Sequence, residues 1–315
     1  MNKIVVFSGN AHMELAAAIC GRLKMRLSPA IITTFSNNCL GVQLEANCRQ
    51  ADVFIIQPLA PPVQEHLMEL LLMLDAARGA SAARITAVIP HYAYARSDKK
   101  DAPRISIAAR LVADLLVTAG ANRVLTMKLH SAQVHGFFGV PVDHMNALNV
   151  LARHFRRRDL KNTIVVSPDL GNAKEATHFA RMLKLPMAAG SKQRLSDDRV
   201  VIDTIVGHVD GKNVIVLDDE IANGGTIIEV LQKLRERHVK RIVVACTHGL
   251  FTGKAIARLG SQTDVDEIVT TNTVPIPVDK RLPNMKILSV APLLAEAIRR
   301  IHVGESVSGL FDVTQ

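Results

Sequence analysis

Two adjacent carboxylates, Asp218 and Asp219, follow the apolar run Val214-Ile-Val-Leu217 and precede Gly224-Gly225-Thr226. This order suits a sugar phosphate. Carboxylates at a strand end can accept hydrogen bonds from ribose hydroxyls or ligate magnesium. Paired glycines let backbone N–H groups close on a phosphate at the start of a helix, which the pattern predicts near Thr226. An ordinary strand–turn–helix connection, with Thr226 as N-cap, uses the same residues. The two acids in front of the glycines favour the ligand-binding reading.

Four other polar clusters follow apolar runs. His91–Asp101 and Arg104 gather Arg96, Lys99 and Lys100, which can neutralise a triphosphate or simply be solvated. His130, in Lys128-Leu-His130, can serve a phosphate or metal or be structural. Asp169, in Ser167-Pro-Asp169-Leu-Gly171, can hold magnesium directly or through water, or cap a helix. Lys192 and Arg194 lie in the polar, aperiodic stretch Ser191–Arg199, which predicts a mobile loop able to bring two cations over a transferring phosphoryl group.

The elements that must position these residues alternate. β-branched runs predict strands at Ile4–Phe7, Val53–Gln57, Ile85–Ile89, Arg123–Met127, Thr163–Ser167, Val214–Leu217, Arg241–Thr247 and Glu267–Thr271. Helical spacing covers Met13–Leu23, Leu67–Ala77, Ile107–Ala119, Lys174–Leu183, Ile227–Arg237 and Pro292–Arg300. Such alternation predicts an α/β fold of mostly parallel sheets flanked by helices, with ligands beyond the carboxyl ends of strands. The order occurs twice, so two similar domains are expected, 1–145 and 146–315, the last residues packing back on the first.

Composition narrows the function classes. A net charge of +9 favours anionic partners, but the basic residues are dispersed and aromatics make up only 3% of the chain. A base-stacking nucleic-acid binder needs the opposite, so a small polyphosphate ligand is preferred and no nucleic acid is expected. Cys20, Cys39, Cys48 and Cys246 form no C-x-x-C pair, which fits a reduced cytoplasmic protein without a zinc site. The opening Lys3–Phe7 reads as a strand and not as a signal peptide, and the greasiest helix contains Glu69 and Asp75, so no membrane partner is expected.

Across its whole length the chain resembles the ribose-phosphate pyrophosphokinase (PRPP synthetase) family. The likeness runs through Phe7-Ser-Gly-Asn10, Phe35-Ser-Asn37, Leu67-Met-Glu-Leu70, Arg84-Ile-Thr-Ala-Val-Ile-Pro90, Tyr94-Ala-Arg96 and Gln133-Val-His-Gly-Phe-Phe138. It continues through Val140-Pro-Val-Asp143, Val166-Ser-Pro-Asp169, Thr247-His-Gly249, Ala295-Glu-Ala-Ile-Arg-Arg300 and Gly304-Glu-Ser-Val-Ser308. The resemblance implies two phosphoribosyltransferase-like domains and direct transfer of the β,γ-diphosphoryl group of ATP to the C1 hydroxyl of ribose 5-phosphate. It implies that Phe35 and Asn37 line the adenine pocket from a neighbouring subunit of a homo-oligomer, a dimer or hexamer. Arg96 and His130 hold ATP phosphates or their Mg2+, with Ser97, Lys99 and Asp101 on the same ATP side. Asp169 serves metal and ribose, Asp218 and Asp219 the ribose hydroxyls, and Asn223, Gly224, Gly225 and Thr226 the 5-phosphate. Lys192 and Arg194 match the two cations of the family's catalytic loop.

The chain departs from the family at both substrate sites. Ala222 and Asn223 stand where the family has Asp and Thr, Lys128 and Gly139 where it has acids, Ser97 where it has Gln, and Cys39 where it has Glu. Three readings follow: a PRPP synthetase of unusual type, a diphosphokinase for a related acceptor such as ADP-ribose, or a non-catalytic regulatory paralogue. Retention of His130, Asp169, Lys192, Arg194, Asp218 and Asp219 favours the first.

Overall fold

The computed structural model describes residues 3–194 and 200–310, with backbone alone for 192–194 and 200–203. Two compact units emerge: one runs to Asn146 and takes in Thr273–Pro275 and the chain from Val290 on, and the other comprises Ala147–Asn272 and Ile276–Ser289.

The first unit contains β1 (Ile4–Ser8), α1 (Met13–Arg22), β2 (Ala30–Thr34), β3 (Leu40–Leu44), β4 (Asp52–Ile56), α2 (Val63–Gly79), β5 (Arg84–Ile89), α3 (Ala108–Ala119), β6 (Arg123–Met127) and β7 (Val142–Met145). Its main sheet is parallel, in the order β1-β4-β5-β6-β7, while β2 and β3 form a separate antiparallel pair. Every residue of β4 is buried, as expected for a strand covered on both faces. Leu70, Met73, Leu74 and Ala77 of α2 bury one stripe at helical spacing.

The second unit contains α4 (Leu148–Phe155), β8 (Thr163–Ser167), α5 (Ala173–Leu183), β9 (Met187–Arg194), β10 (Val200–Val206), β11 (Asn213–Ile221), α6 (Gly225–Glu236), β12 (Arg241–Gly249), α7 (Ala255–Gly260), β13 (Val265–Thr271) and β14 (Met285–Leu288). The sheet order is β10-β9-β8-β11-β12-β13-β14, antiparallel only at β9/β10. The chain winds outward one way from β8 and the other way from β11. The gap between those two strands is therefore the topological switch point, where α/β sheets take their ligands.

Helix α8 (Ala291–Val303) packs on α1 in the first unit. It is fastened by a buried carboxylate at the amino end of β4. Asp52 accepts Arg84 Nε at 2.8 Å and His302 Nδ1 at 2.8 Å, and Arg84 also donates to the Ile301 carbonyl at 2.9 Å.

The expected alternation is observed, and the runs at 123–127 and 163–167 coincide with β6 and β8. Three local readings are corrected. β11 does not end at Leu217: β12 continues to offer ladder partners, so pairing persists through Asp218↔Cys246 to Ile221↔Gly249. The stretch expected as a loop from Ser191 is strand to Arg194, which pairs with Val200 of the antiparallel β10; 195–199 lie outside the described residues. The helix expected at Leu67–Ala77 is longer, with 17 residues, yet among the described residues no helix is long and apolar enough to cross a membrane.

Candidate active site

The switch point of the second unit brings three carboxylates together. Asp169 follows β8, while Asp218 and Asp219 lie toward the carboxyl end of β11. Asn172 ties the two strands: its N–H donates to Asp169 Oδ1 at 3.0 Å and its Nδ2 to the Leu217 carbonyl at 3.2 Å. Asn172, not Asp169, is the residue at the N-cap position of α5. Desolvation pushes the Asp218 carboxyl well above its ordinary pKa, and the neighbouring Asp219 and Asp169 charges add to it. A site with this surplus of hard oxygen donors gains from a divalent cation or from ribose hydroxyls that donate to it.

The glycine loop is braced from behind. Leu250 and Phe251 donate their N–H groups to the Ile221 carbonyl at 3.1 Å each, and Thr252 donates to Ala222 O at 2.9 Å. Arg258 Nη1 donates to Asn223 O at 3.0 Å, and the Ile228 N–H to Gly224 O at 3.1 Å. The loop's carbonyls are thus held by the fold, while the first N–H groups of α6 have no partner within the helix. Asn223 Oδ1 takes one of them, that of Gly225, at 2.9 Å. Gly224, at φ 77°, is the N-cap and supplies the left-handed turn; Thr226 lies inside α6, so the alternative of Thr226 as cap does not hold. Among the described residues no carboxylate pairs with Arg258, whereas Arg235, Arg237 and Arg241 each hold an aspartate.

In the first unit, Arg96 closes a 3-10 turn, Ala93–Arg96, just beyond β5. Ser97 holds the loop that follows, donating to Ser106 O and accepting the Ala108 N–H, both at 3.2 Å. Lys99 and Asp101 form an exposed ion pair at 3.3 Å, worth little by itself in water. On the adjacent strand, β6 is followed by Lys128 (φ 42°), Leu129 and the exposed His130. Leu129 donates its N–H to His144 Nε2 at 2.8 Å. Burial, helped by the charges of Lys128 and His135, holds His144 down to about 4, so its ring is a neutral acceptor. Phe35 and Asn37 occupy the turn between β2 and β3, where Asn37 Oδ1 accepts the Cys39 N–H at 3.1 Å. The Phe35 ring is 53% exposed and lies over Gly41, leaving a face on which a flat base can stack.

The β1–α1 loop shows the contrast. Glu69, pushed up by burial, accepts the Asn10 N–H, the Asn10 side-chain amide at 3.3 Å and Gln57 Nε2 at 3.0 Å. Gln57 Oε1 takes the Ala11 N–H at 3.1 Å. Protein side chains hold several of these donors, where the glycine loop of the second unit has one, the Gly225 N–H, held by Asn223.

The second unit therefore assembles Asp169, Asp218, Asp219 and Asn223–Thr226; in the first, Arg96 and His130 follow adjacent strands, while Phe35 and Asn37 lie on the separate β2–β3 pair. Lys192 and Arg194 are on β9, opposite Ile202 and Val200; their side chains lie outside the described residues. Among the described residues, no group of three or more His, Cys, Asp or Glu is arranged to hold a metal. Arg258 and His144 were not legible from sequence. Arg258 is 35 positions from the carbonyl it holds, and His144 sits in a short edge strand with no motif around it.

Comparison with known proteins decides the family. Residues 4–120 match the model of the N-terminal domain of ribose phosphate pyrophosphokinase, and residues 193–312 match the phosphoribosyl synthetase-associated domain. A ribose-phosphate pyrophosphokinase of Deinococcus radiodurans is 50% identical over 98% of each chain. The chain belongs to the ribose-phosphate pyrophosphokinase family. A Streptomyces coelicolor protein provisionally given the same name is 64% identical, over 99% of this chain and 98% of its own. The crystal structure of phosphoribosylpyrophosphate synthetase from Mycobacterium smegmatis is similar at a TM-score of 0.91 and 40% identity, covering 96% of this chain and all of that one.

Proposed function

We propose that the protein transfers the β,γ-diphosphoryl group of ATP intact to the C1 hydroxyl of ribose 5-phosphate, releasing AMP and 5-phosphoribosyl 1-pyrophosphate. Full-length membership of the family carries this reading, and the carboxylates and braced glycine loop at the β8/β11 switch point support it.

Asp218 and Asp219 accept the ribose hydroxyls, which fixes the sugar ring. The N–H groups at the start of α6, with Thr226, bind the 5-phosphate, where backbone dipoles favour negative charge. On the nucleotide side, Arg96, Lys99 and His130 neutralise the triphosphate, while Phe35 and Asn37, contributed by a neighbouring subunit, line the adenine pocket. Ser97 keeps the loop after Arg96 in shape, and Asp101 stands beside Lys99 on the ATP side. Lys192 and Arg194 stabilise charge that develops on the moving diphosphoryl group. Positioning and neutralisation are what phosphoryl transfer requires, so no covalent intermediate with the protein is needed.

The hard carboxylate oxygens of Asp169 and its neighbours suit Mg2+, and crowding of Asp218 by Asp219 and Asp169 supports that reading. Asp169 in the second unit and His130 in the first are the residues that would hold Mg2+, each on its own substrate's side. When bound, it neutralises phosphate charge. The departure at Asn223 keeps the loop closed, because its own side chain supplies the bond to Gly225. This supports plain ribose 5-phosphate as acceptor. A cytoplasmic homo-oligomer, dimer or hexamer, belongs to the same proposal; the exposed Phe35, Leu111 and Leu115 offer apolar surface for it.

The test is AMP release from Mg-ATP with a panel of acceptors. AMP with ribose 5-phosphate supports the proposal; AMP only with ADP-ribose, or with none, overturns it. Lys192→Ala should abolish turnover while ATP binding persists, and unchanged turnover would remove Lys192 from the mechanism.

A further inference from the structure

The turn that carries His130 has an unusual support. β6 ends at Met127, and Lys128 enters the left-handed region at φ 42°, a conformation that residues other than glycine take only when neighbours impose it. Two bonds from β7 impose it here. The Lys128 N–H donates to the Met145 carbonyl at 2.9 Å, and the next N–H, of Leu129, donates to His144 Nε2 at 2.8 Å. Leu129 is 1% exposed, so its N–H has no ready substitute in water, and a buried donor left unmatched is costly. The His144 ring can accept at Nε2 only when neutral, with its proton on Nδ1. Its surroundings secure that state. The ring is desolvated and flanked by the Lys128 and His135 charges. His135 is itself anchored, its Nε2 lying 3.0 Å from the Val142 carbonyl.

We propose that His144 is a positioning residue for the nucleotide side of the site: by accepting the Leu129 N–H it fixes the Lys128–His130 turn, and with it the placement of His130 against the ATP phosphates. The inference rests on the nucleotide reading of the first unit. His144 touches no substrate in this role and acts only through the backbone of the turn. Its effect should fall on ATP and spare the ribose phosphate, whose loop is braced by residues of the other unit.

Two amides of different length separate this from a general packing role. Gln places its side-chain oxygen one bond farther out than Asn, near where His144 Nε2 accepts; the Asn oxygen falls short. ATP affinity is measured by equilibrium dialysis without acceptor, and KM for ATP and for ribose 5-phosphate in turnover. His144→Asn should weaken ATP binding and raise KM for ATP about tenfold, the scale of one lost buried hydrogen bond, with KM for ribose 5-phosphate unchanged. His144→Gln should restore both ATP values to within about threefold of wild type on the same ground. The proposal is overturned if Asn and Gln behave alike, or if KM for ribose 5-phosphate rises in step with that for ATP. Should wild type bind ATP yet form no AMP, the proposed reaction fails while dialysis still decides the role of His144.

Discussion

Gly224 and Gly225 are neighbours with different duties, and alanine at each should separate strain from ligand binding. At Gly224 the backbone is left-handed, and an added Cβ would meet Ala255, its nearest atom the Cα at 3.6 Å, an ordinary contact. The cost is therefore conformational, about 1–2 kcal/mol. For units of this size that lowers the melting temperature by about 3–6 °C. Gly225 is the first helical residue, where alanine is favoured over glycine by up to about 1 kcal/mol. Its Cβ would sit 3.3 Å from Asn223 Oδ1 and 3.7 Å from Arg258 Nη1, at the mouth of the loop. The small adjustment of Asn223 offsets the helical gain, so Gly225→Ala should melt within about 2 °C of wild type. Both variants should raise KM for ribose 5-phosphate by about tenfold or more, because both reshape the loop that presents the first N–H groups of α6 to the phosphate. Thermal unfolding with and without ribose 5-phosphate, beside steady-state kinetics, reads all four values. Equal loss of melting temperature in the two variants would refute the strain argument, and wild-type KM in Gly225→Ala would refute the phosphate-loop assignment.

Other outcomes follow from single interactions. Asp52→Asn strips Arg84 and His302 of their shared partner, and with Arg84 about a third exposed the loss should be about 2–3 kcal/mol in chemical denaturation; less than about 1 would show that α8 is held by packing alone. His144 titrates near 6.5 in the unfolded chain and near 4 in the folded one. The unfolded state therefore binds the proton first, and stability should be level above pH 7 and fall between about pH 6.5 and 4 by up to about 3 kcal/mol. His144→Gln should flatten that part of the stability–pH curve, and an unchanged curve would assign the loss to other groups. Arg258→Ala should raise KM for ribose 5-phosphate about tenfold through loss of the brace on Asn223, while KM for ATP stays put; a shift in the ATP value instead would contradict the placement.

Much of the fold was legible because parallel strands buried on both faces read as near-continuous apolar runs rich in β-branched residues, as Thr163–Ser167 does. What escaped was structure whose cause lies elsewhere in the chain. β2 and β3 are half exposed and mixed in polarity, so their pairing leaves little pattern. β11 extends through two aspartates only because β12 runs alongside, and the charged residues before 195 are strand only because β10 returns to pair with them. At the site, residue types and spacing pointed to carboxylates and a glycine loop. They could not show that Gly224 and not Thr226 caps α6, nor that Asn223 closes its own loop. The supports from Arg258 and His144 are tertiary contacts, with no local signal.

The central claim is intact transfer of a diphosphoryl group to ribose 5-phosphate. The most direct measurement is 31P NMR of the purified protein with Mg2+, ATP and ribose 5-phosphate at stoichiometric concentrations. Equal growth of AMP and 5-phosphoribosyl 1-pyrophosphate, without ADP, is the predicted result. ADP with a singly phosphorylated sugar, or ATP left unchanged by folded protein, would contradict the account.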